Sequence, residues 1–408
     1  MTSLKIAIVL GKFPSVSETF IVNQMVFLKQ QRHAIDILCL GELNKEDRSN
    51  VLINEYKLMD NAYELKWQSM MPTNLFQRIL KGFSILISSI WKRNFIDFIS
   101  SLNPLKYKRT ALNFNQLYQV YFNNWMGWKN YDVVHIHFAD YAVSLLPNLK
   151  RYSKKIVVTF HGYDAHNFST DYYEQLRKLD QITYTVNTNF LKKKVVNLGF
   201  PEDNIMILPA SLDTELFSPN PVKNDRFELL FVGRLIELKA PLKAIKIVHR
   251  YLSTNPMVHL TIVGEGPEEA ACRDYISAHG LEKNVEMFGN RTQNEIVQHL
   301  NKTDVFIFPG IIDHNGRCEA QGLVIQEAQA MKVPVVVSDV GGLPEGLIDG
   351  ESGYVVKSDK IDDYAELLHK LFSDEKLKTS MGERGRLYVK EKYDTQNIGA
   401  KLLELYIE

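Results

Sequence analysis

Short runs rich in β-branched residues alternate with longer amphipathic stretches along most of this chain, and that rhythm leaves few architectures open. In the first half KIAIVLG is followed by SETFIVNQMVFLKQQR and AIDILCL, and later come YDVVHIHF, KKIVVTFHG and QITYTVN. Such alternation predicts βαβ units around a parallel sheet. The rhythm restarts at FELLFVGR and continues through HLTIVGEGP, NVEMFGN, DVFIFPG and VPVVVSD, interleaved with LKAIKIVHRYL, EIVQHLN and LVIQEAQAMK. A second α/β unit is therefore expected. Between the two, over residues 209–227, LPASLDTELFSPNPVKNDR clusters Pro, Asn, Ser and Asp without hydrophobic periodicity, as a linker does. The predicted division is 1–212, a linker at 213–227, a second domain at 228–385, and a C-terminal segment at 386–408. The halves share a rhythm but no repeated motif, so no internal repeat is inferred.

Composition narrows the function classes. Lys+Arg and Asp+Glu both total 48 in 408 residues, so no global field attracts nucleic acid or another polyanion. Cys39, Cys272 and Cys318 are too few and too scattered for a disulfide framework or a zinc cluster, which points to a reducing compartment and a cytoplasmic protein. MTSLKIAIVLGKF reads as a first strand and not as a signal peptide. The most apolar stretch, GFSILISSIW, is about half of the roughly 20 residues needed to span a bilayer.

One segment departs from the pattern. Residues 75–129 are rich in Phe, Trp, Tyr and Ile and carry Arg78, Lys81, Lys92, Arg93, Lys106, Lys108, Arg109 and Lys129 against the single acid Asp97. A basic, aromatic, helix-like segment suits peripheral contact with an anionic membrane. The same patterning also suits apolar residues that cover the first sheet, with the cations solvated.

Chemistry is concentrated towards the C-terminal third, in RCEAQGLVIQEAQAMKVPVVVSDVGGLPE. A helix from near Gly322 through Met331 would leave the N–H groups around Gly322, Leu323 and Val324 free to bind an anion such as a diphosphate. Glu319 would precede that helix and Glu327 lie about one and a half turns inside it, as acceptors for hydroxyls. On spacing alone, a helix-dipole partner and a solvated helix residue are the favoured reading of the two glutamates. At FVGRLIELKAPLKAI, Arg234 and Lys239 flank a strand-to-helix turn and suit a diphosphate. His161 follows a strand in VVTFHGYD, and Gly11 ends the first strand without a full dinucleotide fingerprint.

The order HGYD, FVGR…K, IVGEGP, EMFGN and then E-x7-E with PVVVSDVGGLPE closely resembles the retaining glycosyltransferases of family 4, which have the GT-B architecture. The resemblance covers nearly the whole chain, and FPSVSETFIVNQM resembles the subgroup that builds bacterial exopolysaccharide, including colanic-acid-type enzymes. It implies an α/β fold of two Rossmann-like domains facing across a cleft, with DTQNIGAKLLELYIE crossing back to the first. It assigns Arg234, Lys239 and the backbone at Gly322, Leu323 and Val324 to a donor diphosphate, and Glu327 to the nucleotide ribose. Glu319 would meet donor-sugar hydroxyls, His161 would lie beside that sugar, and the backbone around Asn290 and Arg291 would frame the base. Gly11 stands where the family has two glycines, and the resemblance carries it over as a donor-binding position. Glu319-Ala320-Gln321-Gly322-Leu323 replaces the usual E-G-F-G-L, which predicts a more polar sugar-facing wall at Gln321.

The implied reaction moves a sugar from a nucleotide diphosphate sugar, expected to be UDP-linked, to a saccharide or polyprenyl-diphosphate-linked acceptor with retention at the anomeric carbon. Fixed cations and a helix start would stabilise the departing diphosphate. No D-x-D motif is present, so neither a metal nor another cofactor is expected. The implied location is the cytoplasm, at the inner face of the membrane. A sugar-nucleotide epimerase on the same fold, or a non-catalytic subunit of a polysaccharide assembly complex, remains open at this point.

Overall fold

The computed structural model describes residues 3–15, 18–44, 50–65, 70–90, 95–125, 130–150, 152–222 and 224–408. Its first sheet has strands β1 (Lys5–Leu10), β2 (Ala34–Cys39), β3 (Ala62–Glu64), β4 (Val133–His137), β5 (Lys155–Phe160), β6 (Ile182–Val186) and β7 (Ile205–Ile207). They lie in the order β3-β2-β1-β4-β5-β6-β7, every pairing parallel. The second sheet has β8 (Phe227–Val232), β9 (Val258–Val263), β10 (Val285–Met287), β11 (Val305–Phe308), β12 (Val335–Ser338) and β13 (Gly353–Val356). Its order is β10-β9-β8-β11-β12-β13, again parallel throughout. Helices cover both faces of such sheets, which is why central strands such as β4 and β12 are buried along their whole length.

In each sheet the strand order reverses beside the first strand, between β1 and β4 and between β8 and β11. The loops leaving those strands diverge, and the crevice outside their carboxyl ends is where open α/β sheets bind ligands. Gly11, His161, Arg234 and the loop after β11 all leave strands at that edge.

The C-terminal chain ties the two sheets together. Leu212 N–H donates to the Tyr393 carbonyl and Thr395 N–H donates to the Leu212 carbonyl, each at 3.0 Å. Asp394 then accepts from Gln396 N–H at 2.8 Å and starts the final helix, Thr395–Ile407. That helix places Ile398, Leu402, Leu405 and Tyr406 in one cluster with Ile6, Ile8, Phe27 and Val133 of the first sheet's core. It crosses the Thr19–Gln30 helix at Gly399, where a Cβ would stand 2.4 Å from Phe27 Cδ1, so only glycine allows this approach.

The basic aromatic segment folds into helices Leu75–Ser89, Phe95–Ser100, Pro104–Tyr107, Arg109–Leu112 and Asn115–Trp125. Phe122 joins the core of the first sheet, whereas Ile85, Phe98, Leu117 and Tyr118 form a small cluster of their own. Phe76, Leu80, Phe83 and Ile87 recur at helical spacing and are all exposed, Ile87 to 67% and Phe76 to 70%. These side chains do not cover the first sheet. Lys92, Arg93 and Lys129 lie outside the described residues. No helix among the described residues is long and apolar enough to cross a membrane.

Candidate active site

On the second-sheet side, β8 ends in Gly233-Arg234 and a short 3₁₀ turn, Glu237–Lys239. Ala240 takes the left-handed conformation (φ 54°), and Pro241 opens the next helix with its φ already suited to that position. This turn carries Lys239 towards the loop after β11, where its Nζ lies 2.7 Å from Glu319 Oε2. Both side chains are largely buried, 15% and 18% exposed. Burial opposes the charged form of Glu319, but Lys239, the Ala320 N–H and the nearby Arg234 outweigh it and hold the carboxyl below its ordinary range. Arg234 is exposed and has no hydrogen-bond or ion-pair partner among the described residues.

Gly322 follows in a left-handed conformation (φ 73°, ψ 65°) and caps the helix Leu323–Ala330. A Cβ there would be strained and would stand 3.0 Å from Leu343. The first-turn N–H groups at Leu323 and Val324 have no acceptor within the helix, so a positive dipole end, Lys239 and Arg234 belong to one locality beside one carboxylate. Glu327, further along this helix, is 6% exposed. Burial alone lifts its carboxyl to about 7, with no cation among the described residues to offset it. Glu265 of the GEGP loop organises the next segment by accepting from Asn290 Nδ2 at 2.8 Å and Asn290 N–H at 3.3 Å. The Arg291 guanidinium lies over Phe288, 5.5 Å from its centroid.

On the first-sheet side, His161 follows β5 with its ring against Phe138 and Phe20, at 4.6 and 5.0 Å between centroids. Burial depresses its pKa to about 3, so the imidazole is neutral. Asp164 fixes the loop: Oδ1 accepts from the N–H groups of His161, Gly162 and Ala165, and Oδ2 from that of Ala139 after β4. The two sides then touch. Thr188 donates to the Ala320 carbonyl at 2.9 Å, and a Cβ on Gly162 would come within 2.9 Å of Ala320 Cβ. Glu345 accepts from Asn189 N–H and Phe190 N–H, each at 2.7 Å, at the start of the Asn189–Asn197 helix.

Two family models divide this chain between them. The one described as Glycosyltransferase Family 4 matches residues 17–216, and Glycosyl transferases group 1 matches residues 213–388. The chain belongs to glycosyltransferase family 4. A protein of Escherichia coli (strain K12) named as a colanic acid biosynthesis glycosyltransferase is 26% identical over 415 residues, covering 98% of this chain and 99% of the relative. An amylovoran biosynthesis glycosyltransferase of Erwinia amylovora is 24% identical, covering 91% of each. Among solved structures, a glycosyltransferase of Rickettsia africae superposes with a TM-score of 0.71 at 19% identity, over 100% of this chain and 98% of that one. An Anabaena protein solved in complex with UDP also gives 0.71, at 14% identity over 99% of both chains. These likenesses give the fold, which is GT-B.

In this family 4 glycosyltransferase Lys239 and Glu319 meet beside Gly322 with Arg234 nearby, Glu327 lies inside the helix that Gly322 caps, and His161 follows β5 of the first sheet. One expectation needs correction. Gln321 is 2% exposed, and its amide is fully engaged: Oε1 accepts from Ala210 N–H at 2.8 Å and Nε2 donates to the Ala210 carbonyl at 3.0 Å. It is a two-point clamp to the segment joining the sheets, so it does not make the sugar-facing wall polar. At Gly11 a Cβ would lie 1.9 Å from the Tyr141 hydroxyl, so Tyr141 packs directly on this glycine. Four residues with evident work escaped the sequence reading: Asp164, Glu265, Glu345 and His137. Each lies within a quoted motif, but what they bind is backbone or another side chain distant in sequence.

Proposed function

We propose that this glycosyltransferase moves a sugar from a UDP-linked donor, with retention, to a saccharide or polyprenyl-diphosphate-linked acceptor in bacterial surface polysaccharide synthesis. The observation that carries the reading is the Lys239–Glu319 ion pair, set at the Gly322-capped helix start beside unpaired Arg234. Donor binding gives each member a new partner, a diphosphate oxygen for Lys239 and a sugar hydroxyl for Glu319. Arg234 and the N–H groups at Leu323 and Val324 complete the diphosphate grip, Glu327 takes the ribose hydroxyls, and Asn290 and Arg291 border the base. As the bond to the anomeric carbon breaks, negative charge grows on the phosphate where these positive groups converge. The acceptor oxygen attacks from the same face and passes its proton to the departing phosphate. The reading assigns no metal ion a role. The names of the colanic acid and amylovoran relatives support the polysaccharide context, and the UDP complex of the Anabaena protein supports the donor nucleotide.

Lys239→Ala and Glu319→Ala should each lower turnover at least about tenfold, the scale of a lost transition-state contact. Wild-type rates in both variants would remove the site from the reaction. Thermal shift across sugar nucleotides identifies the donor, since a true donor stabilises the fold by mass action. Conversion of that donor with no acceptor present would favour an epimerase instead.

The acceptor class is supported by the exposed face of the Leu75–Ser89 helix. Phe76, Leu80, Phe83 and Ile87 present an apolar stripe at helical spacing, with Lys106, Lys108 and Arg109 in the short helices Pro104–Tyr107 and Arg109–Leu112 and the turn between them. Such a surface suits peripheral attachment to an anionic inner leaflet, where a lipid-linked acceptor lies. Flotation with anionic vesicles should be lost in Phe83→Glu/Ile87→Glu. Binding that is indifferent to both the variant and the lipid charge would exclude this surface.

A further inference from the structure

Behind His161 three histidine rings form a buried array. His135 stacks on His137 with centroids 4.2 Å apart, and His137 stacks on His161 at 5.2 Å. Both nitrogens of His135 have partners: Nδ1 meets the Tyr406 hydroxyl of the final helix and Nε2 the Thr159 hydroxyl, each at 2.6 Å. Thr159 in turn meets Thr185 at 2.6 Å. His137 differs. Its Nδ1 lies 3.0 Å from His161 Nε2, and its Nε2 is sealed from solvent with no hydrogen-bond partner among the described residues. His161 Nδ1 has no hydrogen-bond partner among the described residues and is not among the sealed atoms. Burial disfavours the charged form of both rings, so the pair is neutral and a single hydrogen lies between them.

That hydrogen has two placements. If His161 donates through Nε2, neutral His137 must carry its own proton on Nε2, which puts an N–H in a sealed site with no acceptor. If His137 donates through Nδ1, its bare Nε2 leaves only a lone pair unsatisfied, and His161 carries its proton on Nδ1. Orphaned buried N–H groups are rarer and costlier than under-used acceptors. We propose that His137 is a positioning residue that holds His161 in the Nδ1–H form, so that the cleft meets a hydrogen-bond donor and not a base. This rests on the reading that places His161 beside the donor sugar. A neutral donor there can hold a sugar hydroxyl oxygen and leaves the acceptor's proton to the phosphate. His135 acts one step further back, as the stacked support that the final helix fixes through Tyr406.

The test uses full-length protein labelled with ¹⁵N-histidine. Long-range ¹H–¹⁵N correlations report which ring nitrogen bears hydrogen, and the His161 and His137 signals are assigned by their loss in His161→Ala and His137→Phe. In the wild type His161 should show a protonated Nδ1 and a bare Nε2. In His137→Asp, whose carboxylate accepts and does not donate, hydrogen should move onto His161 Nε2, with kcat falling about tenfold and donor KM changing far less. His137→Asn, whose amide Nδ2 can donate from about the same place, should restore the Nδ1–H form and most of kcat. An Nε2–H His161 in the wild type overturns the proposal, as do Asn and Asp variants of equal Tm and equal kcat. If the tautomer follows His137 as stated while His161→Ala turns over at the wild-type rate, control of the tautomer stands and the placement of His161 beside the sugar fails.

Discussion

Replacing Glu327 with glutamine isolates the cost of burying one carboxyl without a cation. Its pKa is raised from an ordinary 4.5 to about 7 by burial alone. The sign follows directly: between those values the folded protein holds a proton that the unfolded chain has released, so stability falls as pH rises through the window. Above about 7 the fold carries the whole cost, about 3 kcal/mol at 1.36 kcal/mol per pKa unit. Glutamine matches the protonated form in shape and cannot ionise. Glu327→Gln should therefore be within about 1 kcal/mol of the wild type at pH 5 and about 3 kcal/mol more stable at pH 8. For a unit the size of the second domain that is roughly 6–12 °C in Tm. The assay is thermal unfolding of both proteins at both pH values. Taking the difference between them cancels other groups such as Asp164, which burial also lifts to about 7. UDP should narrow the gap at pH 8, because ribose hydroxyls supply the donors the carboxylate lacks. A variant that is no more stable at pH 8, or equally more stable at both pH values, refutes the reasoning.

Two further outcomes test the corrected and the close-packed positions. Gln321→Ala removes both bonds to Ala210 and should cost about 1–3 kcal/mol in urea unfolding while the ranking of donors by thermal shift stays the same. A changed ranking at unchanged stability would return Gln321 to the sugar site. Gly399→Ala drives a methyl to within 2.4 Å of Phe27 Cδ1 and should cost about 1–3 kcal/mol, read as a lower urea midpoint. An unchanged midpoint would show that the two helices do not cross that closely.

Local pattern made much of the fold legible. The runs at β1, β2, β4, β5 and β6, and at β8 through β12, are four to six residues long or end in a recognisable glycine, except for the three-residue β10. β3 (Ala62–Glu64) and β7 (Ile205–Ile207) were not legible: they are three-residue edge strands, half-exposed and too short for periodicity. The four-residue β13 has two partly exposed positions and likewise escapes a search for buried runs. In the site, Gly322 and the helix after it were readable because a left-handed glycine before an apolar run is a local signal. Gln321 was misread because the partner that uses it, Ala210, is 111 positions away.

The sequence by itself determined two parallel α/β units and the residue types that the loops at their strand ends present. Those properties follow from periodicity, turn chemistry and charge within a few residues of each other. Only the tertiary structure decided which polar groups meet. It gave Glu319 to Lys239, 80 positions apart, left Glu327 without a cation, turned Gln321 onto Ala210 and stacked His137 behind His161. The reason is physical: ionisation, tautomer and hydrogen-bond satisfaction depend on the partners and burial that packing supplies, and those partners come from strands adjacent in space but distant along the chain.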